Sequence, residues 1–178
     1  WLIAHANDPV CHADAQEFMK KVTARTQGEP LSYLLGYRDF WTLRLIVNPH
    51  VLIPRRETEH LVEWALECID RGALRVLDLG TGSGAVALAC KSARHEIAIC
   101  GTDISEDALR CARLNAEQLA LDGDWRCGCW FDSVRGEHWD LVVSNPPYIA
   151  EADAPLLEGD LPAEPRTALV GGATGLEA

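Results

Sequence analysis

Leu74-Arg75-Val76-Leu77-Asp78-Leu79, then Gly80-Thr81-Gly82-Ser83-Gly84, then the small-residue run from Ala85 to Ser92, decide the fold. The first segment is a short apolar strand, the second a tight turn, and the third a helix. The same alternation continues downstream. Ile97 to Thr102 reads as a second strand, closed by Asp103. Ser105 is a good N-cap, with Glu106 and Asp107 in the first turn of a helix running to about Leu119. Trp125 to Cys129 is a weaker strand. Asp140-Leu141-Val142-Val143-Ser144 is a strong one and ends in Asn145-Pro146-Pro147-Tyr148. Strands alternating with helices predict an α/β fold with a doubly wound parallel sheet.

Upstream the texture differs. Ala15, Phe18, Met19 and Val22 recur at helical spacing over residues 14–26, with Gly28 as the stop. Periodicity is lost over residues 29–53. Pro30, Gly36 and Pro49 punctuate that stretch, and FWTLRLIV (40–47) is rich in aromatic and branched residues, as in a β-hairpin linker. A further helix is expected from Arg55 to Asp70, with Leu61, Trp64, Ala65 and Cys68 as its buried stripe. The expected organisation is therefore 1–27, the end of a helical N-terminal unit; 28–54, the hairpin linker; and 55–178, the α/β domain. Four sheet strands are visible, and the chain reads as a fragment that exposes a sheet edge.

The 178 residues carry 16 Lys+Arg and 27 Asp+Glu, a net charge of −11. That balance disfavours wrapping nucleic acid by phosphate neutralisation. No apolar run reaches the roughly 18 residues of a membrane span, and the N-terminus lacks the pattern of a secretory signal. Seven cysteines form no CxxC pair. Cys11-His12 and Cys127-Gly128-Cys129 are the only tight groups, so no metal site is expected. Reduced thiols suit a cytoplasmic protein.

Glycines at 80, 82 and 84 let the backbone turn sharply and approach a ligand without a Cβ in the way. Asp103, nineteen positions after Gly84 at the next strand end, can accept hydrogen bonds from both hydroxyls of a ribose. The pair reads as a binder of an adenosine-containing cofactor. Gly80-x-Gly82-x-x-Ala85 also satisfies the loose dinucleotide pattern, which leaves a nicotinamide cofactor open at this point. Asn145-Pro146-Pro147-Tyr148 is more specific. Two prolines remove two N–H donors and fix two φ angles, leaving carbonyl oxygens beside the Asn145 side chain. Such an acceptor array suits a planar NH2 group, and the Tyr148 ring can pack on it.

VLDLGTGSG, Asp103 and NPPY together resemble the S-adenosylmethionine-dependent class I methyltransferases that modify planar amide or amino nitrogens. GEPLSYLLGYRDFW, VLIPRRETEHLVE and, after NPPY, GDLPAEPRTALVGG narrow the resemblance to the protein-(glutamine-N5) methyltransferases of peptide chain release factors, across essentially the whole chain. The resemblance implies an N-terminal helical bundle, a β-hairpin linker and a Rossmann-like catalytic domain, here C-terminally incomplete. It implies S-adenosyl-L-methionine as cofactor, S-adenosyl-L-homocysteine as product, and methylation of the glutamine amide in the release factors' GGQ tripeptide. Cofactor positions would fall on Gly80, Thr81, Gly82, Ser83, Gly84, Asp103, Asn145 and, beside the adenine, Trp130. Asn145, Pro146, Pro147 and Tyr148 would hold the glutamine, with Asn145, Pro146 and Tyr148 as the catalytic set. The family often has Asp where Cys129 stands, and Asp124-Trp125 offers a rival alignment to Trp130. The alternatives weighed are a ribosomal-protein glutamine and an adenine amino group in nucleic acid; the acidic chain disfavours the latter.

Overall fold

The computed structural model describes residues 12–153, 156 and 158–177; Cys11 and the residues before it lie outside that set. Helix α1 (His12–Thr26) is followed by a five-residue helix α2 (Leu31–Leu35), which the sequence reading missed. Pro30 and Gly36 bound it too tightly for any helical periodicity to register. Gly36, at φ 79, receives the chain as it leaves α2. Strands β1 (Tyr37–Phe40) and β2 (Leu43–Ile46) pair antiparallel as the expected hairpin, with Trp41 and Thr42 as its turn.

The helix expected from Arg55 starts as a 3-10 turn at Arg56–Thr58 and continues as α3 (Glu59–Asp70). Its buried stripe is Val62, Ala65 and Ile69, and Trp64 is 68% exposed. The expected stripe is therefore corrected by about one residue. Two overlapping apolar rows run along this helix, and the row of smaller and branched side chains is the one that fits against α4 and the sheet.

Strands β3 (Arg75–Leu79), β4 (Ala98–Asp103), β5 (Asp124–Cys127) and β6 (Leu141–Ser144) form one parallel sheet in the order β5-β4-β3-β6. Helices α4 (Ala85–Ala93) and α5 (Glu106–Gln118) connect β3 to β4 and β4 to β5. Val76 and Ile99 face the core formed with α3, α4 and the hairpin residues Phe40, Leu43 and Leu45. Leu77, Leu79 and Cys100 point to the opposite face, against Val134 and Trp139. The alternation is that of a strand buried on both sides.

Chain order places the functional crevice. From β3 the sheet grows through β4 to β5, and β6 then joins the other side of β3. The carboxyl ends of β3 and β6 flank that switch point, where open α/β sheets bind ligands. The glycine turn follows β3 and Asn145 follows β6. Ser144 Oγ donates to the Leu79 carbonyl at 2.9 Å and locks the two strand ends together.

Candidate functional site

A cavity of about 360 Å³ opens at this switch point, within the size range of small-molecule sites. Its walls come from four parts of the chain: the linker from His50 to Thr58, the glycine turn, the β4 end with Cys129 and Trp130, and the segment from Asn145 to Pro147 with Thr167, Ala168 and Val170. Gly80, Thr81, Gly82, Ser83, Asp103, Trp130, Asn145, Pro146 and Pro147 all line it, so most of the expected residues are brought together. Gly84 sits just behind, as the left-handed residue that starts α4.

Trp130, 37% exposed, is on the cavity wall. Trp125 is packed beneath it instead. A Cβ on Gly101 would meet the Trp125 ring at 2.5 Å and Thr81 Oγ1 at 2.8 Å, so β4 needs a glycine there to seat that ring under the turn. Tyr148 departs from expectation. It is 68% exposed and does not line the cavity. After Pro147 the chain turns away to bridge Val170: Ile149 N–H donates to the Leu169 carbonyl, and Gly171 N–H to the Ile149 carbonyl. That pairing carries Tyr148 to the outer rim.

The glycine turn is chemically distinct from a phosphate cradle. The amides of Gly80 and Thr81 both donate to the Thr102 carbonyl, and Gly84 N–H donates to the Thr81 carbonyl. Gly82, at φ 56, turns its N–H onto Asp103 Oδ2 at 2.9 Å. The free amides expected of this turn are therefore largely consumed by the protein. Two carboxyls stand in their place. Asp103 is fixed from both sides, since Oδ1 accepts the Ser105 amide at 2.9 Å. Each of its oxygens keeps a lone pair on a side chain that lines the cavity. A vicinal diol fits that arrangement, whereas a pyrophosphate would meet an anion.

Asp78, only 2% exposed, lies deeper. Its Oδ2 accepts the Thr81 hydroxyl at 2.8 Å and the Ala87 amide at 3.4 Å. Burial outweighs those bonds, and its carboxyl is pushed up to about 7. The sequence reading passed over Asp78, although a carboxylate inside an apolar strand is itself a signal.

The acceptor array is held from the linker. Asn145 Nδ2 donates to Thr58 Oγ1 at 3.4 Å. Among the described residues no donor reaches Asn145 Oδ1 or the Pro146 carbonyl, and both residues line the cavity. Two further buried groups missed in the sequence brace the walls. Asn115 is fully buried. It accepts the Ile46 amide at 2.6 Å and donates to the Ile46 and Ser83 carbonyls, joining hairpin to glycine turn. Glu164 accepts the Ile53 amide at 3.0 Å and pairs with Arg55 at 2.5 Å, joining the linker to the segment carrying α6 (Arg166–Leu169).

Among the described residues no group of three or more His, Cys, Asp or Glu is placed to hold a metal ion. No described helix is long and apolar enough to cross a membrane. Burial pushes the thiols of Cys90, Cys100 and Cys111 up, to between about 11 and 12. These three behave as small core side chains.

Comparison with known proteins agrees with this geometry. The chain matches the methyltransferase small domain over residues 59–164 and the PrmC N-terminal domain over residues 1–36. Curated relatives named release factor glutamine methyltransferase match the chain, three of them as follows. That of Xylella fastidiosa (strain Temecula1) is 47% identical over 180 residues, covering 100% of this chain and 66% of the relative. That of Bordetella pertussis is 44% identical over 180 residues, covering 100% and 67%. That of Escherichia coli K12 is 41% identical over 182 residues, covering 99% and 64%. The chain thus spans about two thirds of the length of these relatives.

Solved structures share the fold, two of them as follows. The Pyrococcus abyssi tRNA (uracil-54, C5)-methyltransferase in complex with S-adenosyl-L-homocysteine superposes with TM-score 0.53 at 19% identity, covering 70% of this chain and 30% of that one. The hMettl16 catalytic domain superposes with TM-score 0.59 at 17% identity, covering 77% and 54%. The 41–47% identity to the curated relatives, over essentially the whole chain and with both domains matched in order, carries the assignment: the chain belongs to the release factor glutamine methyltransferase family.

Proposed function

We propose that the protein uses S-adenosyl-L-methionine to methylate the side-chain amide nitrogen of the glutamine in the GGQ tripeptide of peptide chain release factors, in the cytoplasm. The observation that carries this reading is one cavity whose walls join an acid-lined glycine turn to the unengaged acceptor oxygens of Asn145 and Pro146. The names of the relatives at 41–47% identity support the choice of a protein glutamine over other planar nitrogens.

The cofactor, when bound, supplies an electrophilic methyl group on a cationic sulfonium. Gly80 to Gly84 and Asp103 would hold its nucleoside portion, with the Asp103 carboxylate accepting from the ribose hydroxyls and Trp130 beside the adenine. The negative lining suits a cation, and the consumed turn amides give a nicotinamide dinucleotide little to bind.

An amide nitrogen is a poor nucleophile because its lone pair is delocalised into the carbonyl. No side chain needs to deprotonate it first. Asn145 Oδ1 and the Pro146 carbonyl accept its two hydrogens and fix its plane. As the nitrogen took the methyl, with the S–CH3 bond breaking to leave the neutral thioether, it would turn positive, and the same oxygens would stabilise it more than they stabilised the neutral amide. One proton then leaves to solvent. Pro147 keeps the array stiff, and Tyr148 on the rim is available to the substrate chain outside the cavity.

Mass spectrometry of release factor incubated with the protein and S-adenosyl-L-methionine tests the reading. One added methyl on the GGQ glutamine is the expected result. An unmodified release factor alongside a methylated adenine in an oligonucleotide would overturn it.

A further inference from the structure

A second recess, of about 220 Å³, adjoins the cavity, and Pro54 lines both. Arg38 from β1 and Arg56 from the turn before α3 open onto this recess, and both are exposed. Their pairing in the structure is unusual. Among the described residues, every other arginine has a carboxylate within 4 Å. Arg38 and Arg56 alone have none, in a chain with 27 acidic residues.

The acids of the recess itself are already engaged. Asp39 accepts two bonds from Arg44, at 2.8 and 3.3 Å. Glu59 Oε1 accepts the Trp41 amide at 3.1 Å. Trp41 is held by that bond at φ 55, a left-handed conformation in the hairpin turn that a tryptophan rarely adopts. The result is a preformed pocket that holds two guanidinium groups, neither within 4 Å of a described carboxylate, beside the site of chemistry.

We propose that this recess receives a carboxylate side chain of the protein substrate, flanking the glutamine in the cavity; the inference rests on the function proposed above. Guanidinium groups bind carboxylates in a directed, two-pronged geometry. A nucleic-acid backbone is disfavoured, since it needs a track of several cations, and the remaining described arginines are occupied.

Two measurements on Arg38→Gln/Arg56→Gln and Arg38→Glu/Arg56→Glu test it: steady-state methylation of release factor, and anisotropy of a fluorescent hexaglutamate peptide. Both doubles should raise the KM for release factor roughly tenfold or more while leaving kcat within about twofold. Raising salt from about 50 to 300 mM should raise the wild-type KM and leave the variants' KM flat. Hexaglutamate should bind wild type and lose binding in both doubles. Unchanged KM and unchanged hexaglutamate binding in an active enzyme overturn the recess alone. Loss of binding to an RNA oligonucleotide, with hexaglutamate never bound, overturns it in favour of nucleic acid. A wild type that binds hexaglutamate through these arginines but leaves release factor unmethylated overturns the proposed function and leaves the recess standing.

Discussion

Thr58 and Asn145 are 87 residues apart in sequence and meet across the mouth of the cavity, Asn145 Nδ2 donating to Thr58 Oγ1 at 3.4 Å. The bond uses the donor side of the Asn145 amide and leaves its Oδ1 for a ligand. On the proposed function, Thr58 is therefore a positioning residue. Thr58→Val keeps the shape and removes the hydroxyl, and it should lower kcat by up to about tenfold, the worth of one neutral hydrogen bond. Thr58→Ser should restore most of that loss, and affinity for S-adenosyl-L-homocysteine should stay within about twofold in both. Equal losses in the valine and serine variants would show that the methyl group, not the hydroxyl, matters.

Asn145 and Asp103 should separate chemistry from cofactor binding. On the proposed function, Asn145→Ala removes an acceptor whose interaction would strengthen as the nitrogen becomes positive. It should cut kcat by about 10²–10³-fold with little change in cofactor affinity. Asp103→Ala removes a carboxylate fixed by the Gly82 and Ser105 amides. It should weaken S-adenosyl-L-homocysteine binding by roughly ten- to a hundredfold, the worth of charge-assisted hydrogen bonds. Calorimetry on both variants checks the split; unchanged affinity in Asp103→Ala would reduce that acid to a cap and loop brace.

β3, β4 and β6 were legible because they are largely apolar runs bounded by polar or glycine residues, whereas β5, Asp-Trp-Arg-Cys with no buried residue, gave a weaker signal; each boundary fell within about two residues of expectation. The glycine turn, Asp103 and Asn145 to Pro147 were legible because their spacing fixes them to strand ends. What escaped was held by distant partners. Nothing local marks Asn115 as the joint between Ile46 and Ser83, or Glu164 as the partner of Ile53, 111 residues away. The outward course after Pro147, which carries Tyr148 off the cavity, depends on pairing with Val170 in a segment that local periodicity does not describe.

The buried carboxyl of Asp78 gives a pH signature. Its pKa is about 7 in the folded protein against a reference of 3.8. Between those values the folded state keeps a proton that the unfolded state has lost. Its contribution to stability therefore falls as pH rises from roughly 4 to 7 and is flat above that. Asp39, Asp70, Asp122 and Asp140 are held below their ordinary range by bonds to the charged form, so they act in the opposite sense at lower pH. Asp78→Asn isolates the effect. The difference in urea midpoint between variant and wild type should grow in favour of the variant from about pH 4.5 to 7, then level off. A constant difference across that range would place a charged Asp78 in the core throughout it.

Glu164 ties the wall after NPPY to the linker, with its side chain fully buried and its partner Arg55 one-third exposed. Removing a buried carboxylate's half of such a pair leaves Arg55 uncompensated and the Ile53 amide without an acceptor. The partial exposure of Arg55 lets water recover some of that loss, so Glu164→Ala should cost about 2–3 kcal/mol rather than the full penalty of a dry ion pair. The loss should be uneven. The sheet keeps its own hydrogen bonds, whereas the segment carrying Thr167, Ala168 and Val170 is held by the Glu164 pair and the Ile149–Val170 bridge alone among the contacts described above. Limited proteolysis should therefore cut Glu164→Ala within residues 160–170 under conditions where β3 to β6 stay protected. Glu164→Gln, which can still accept the Ile53 amide, should be cut at an intermediate rate. Cleavage spread evenly along the chain would show that the pair supports the whole fold rather than this wall.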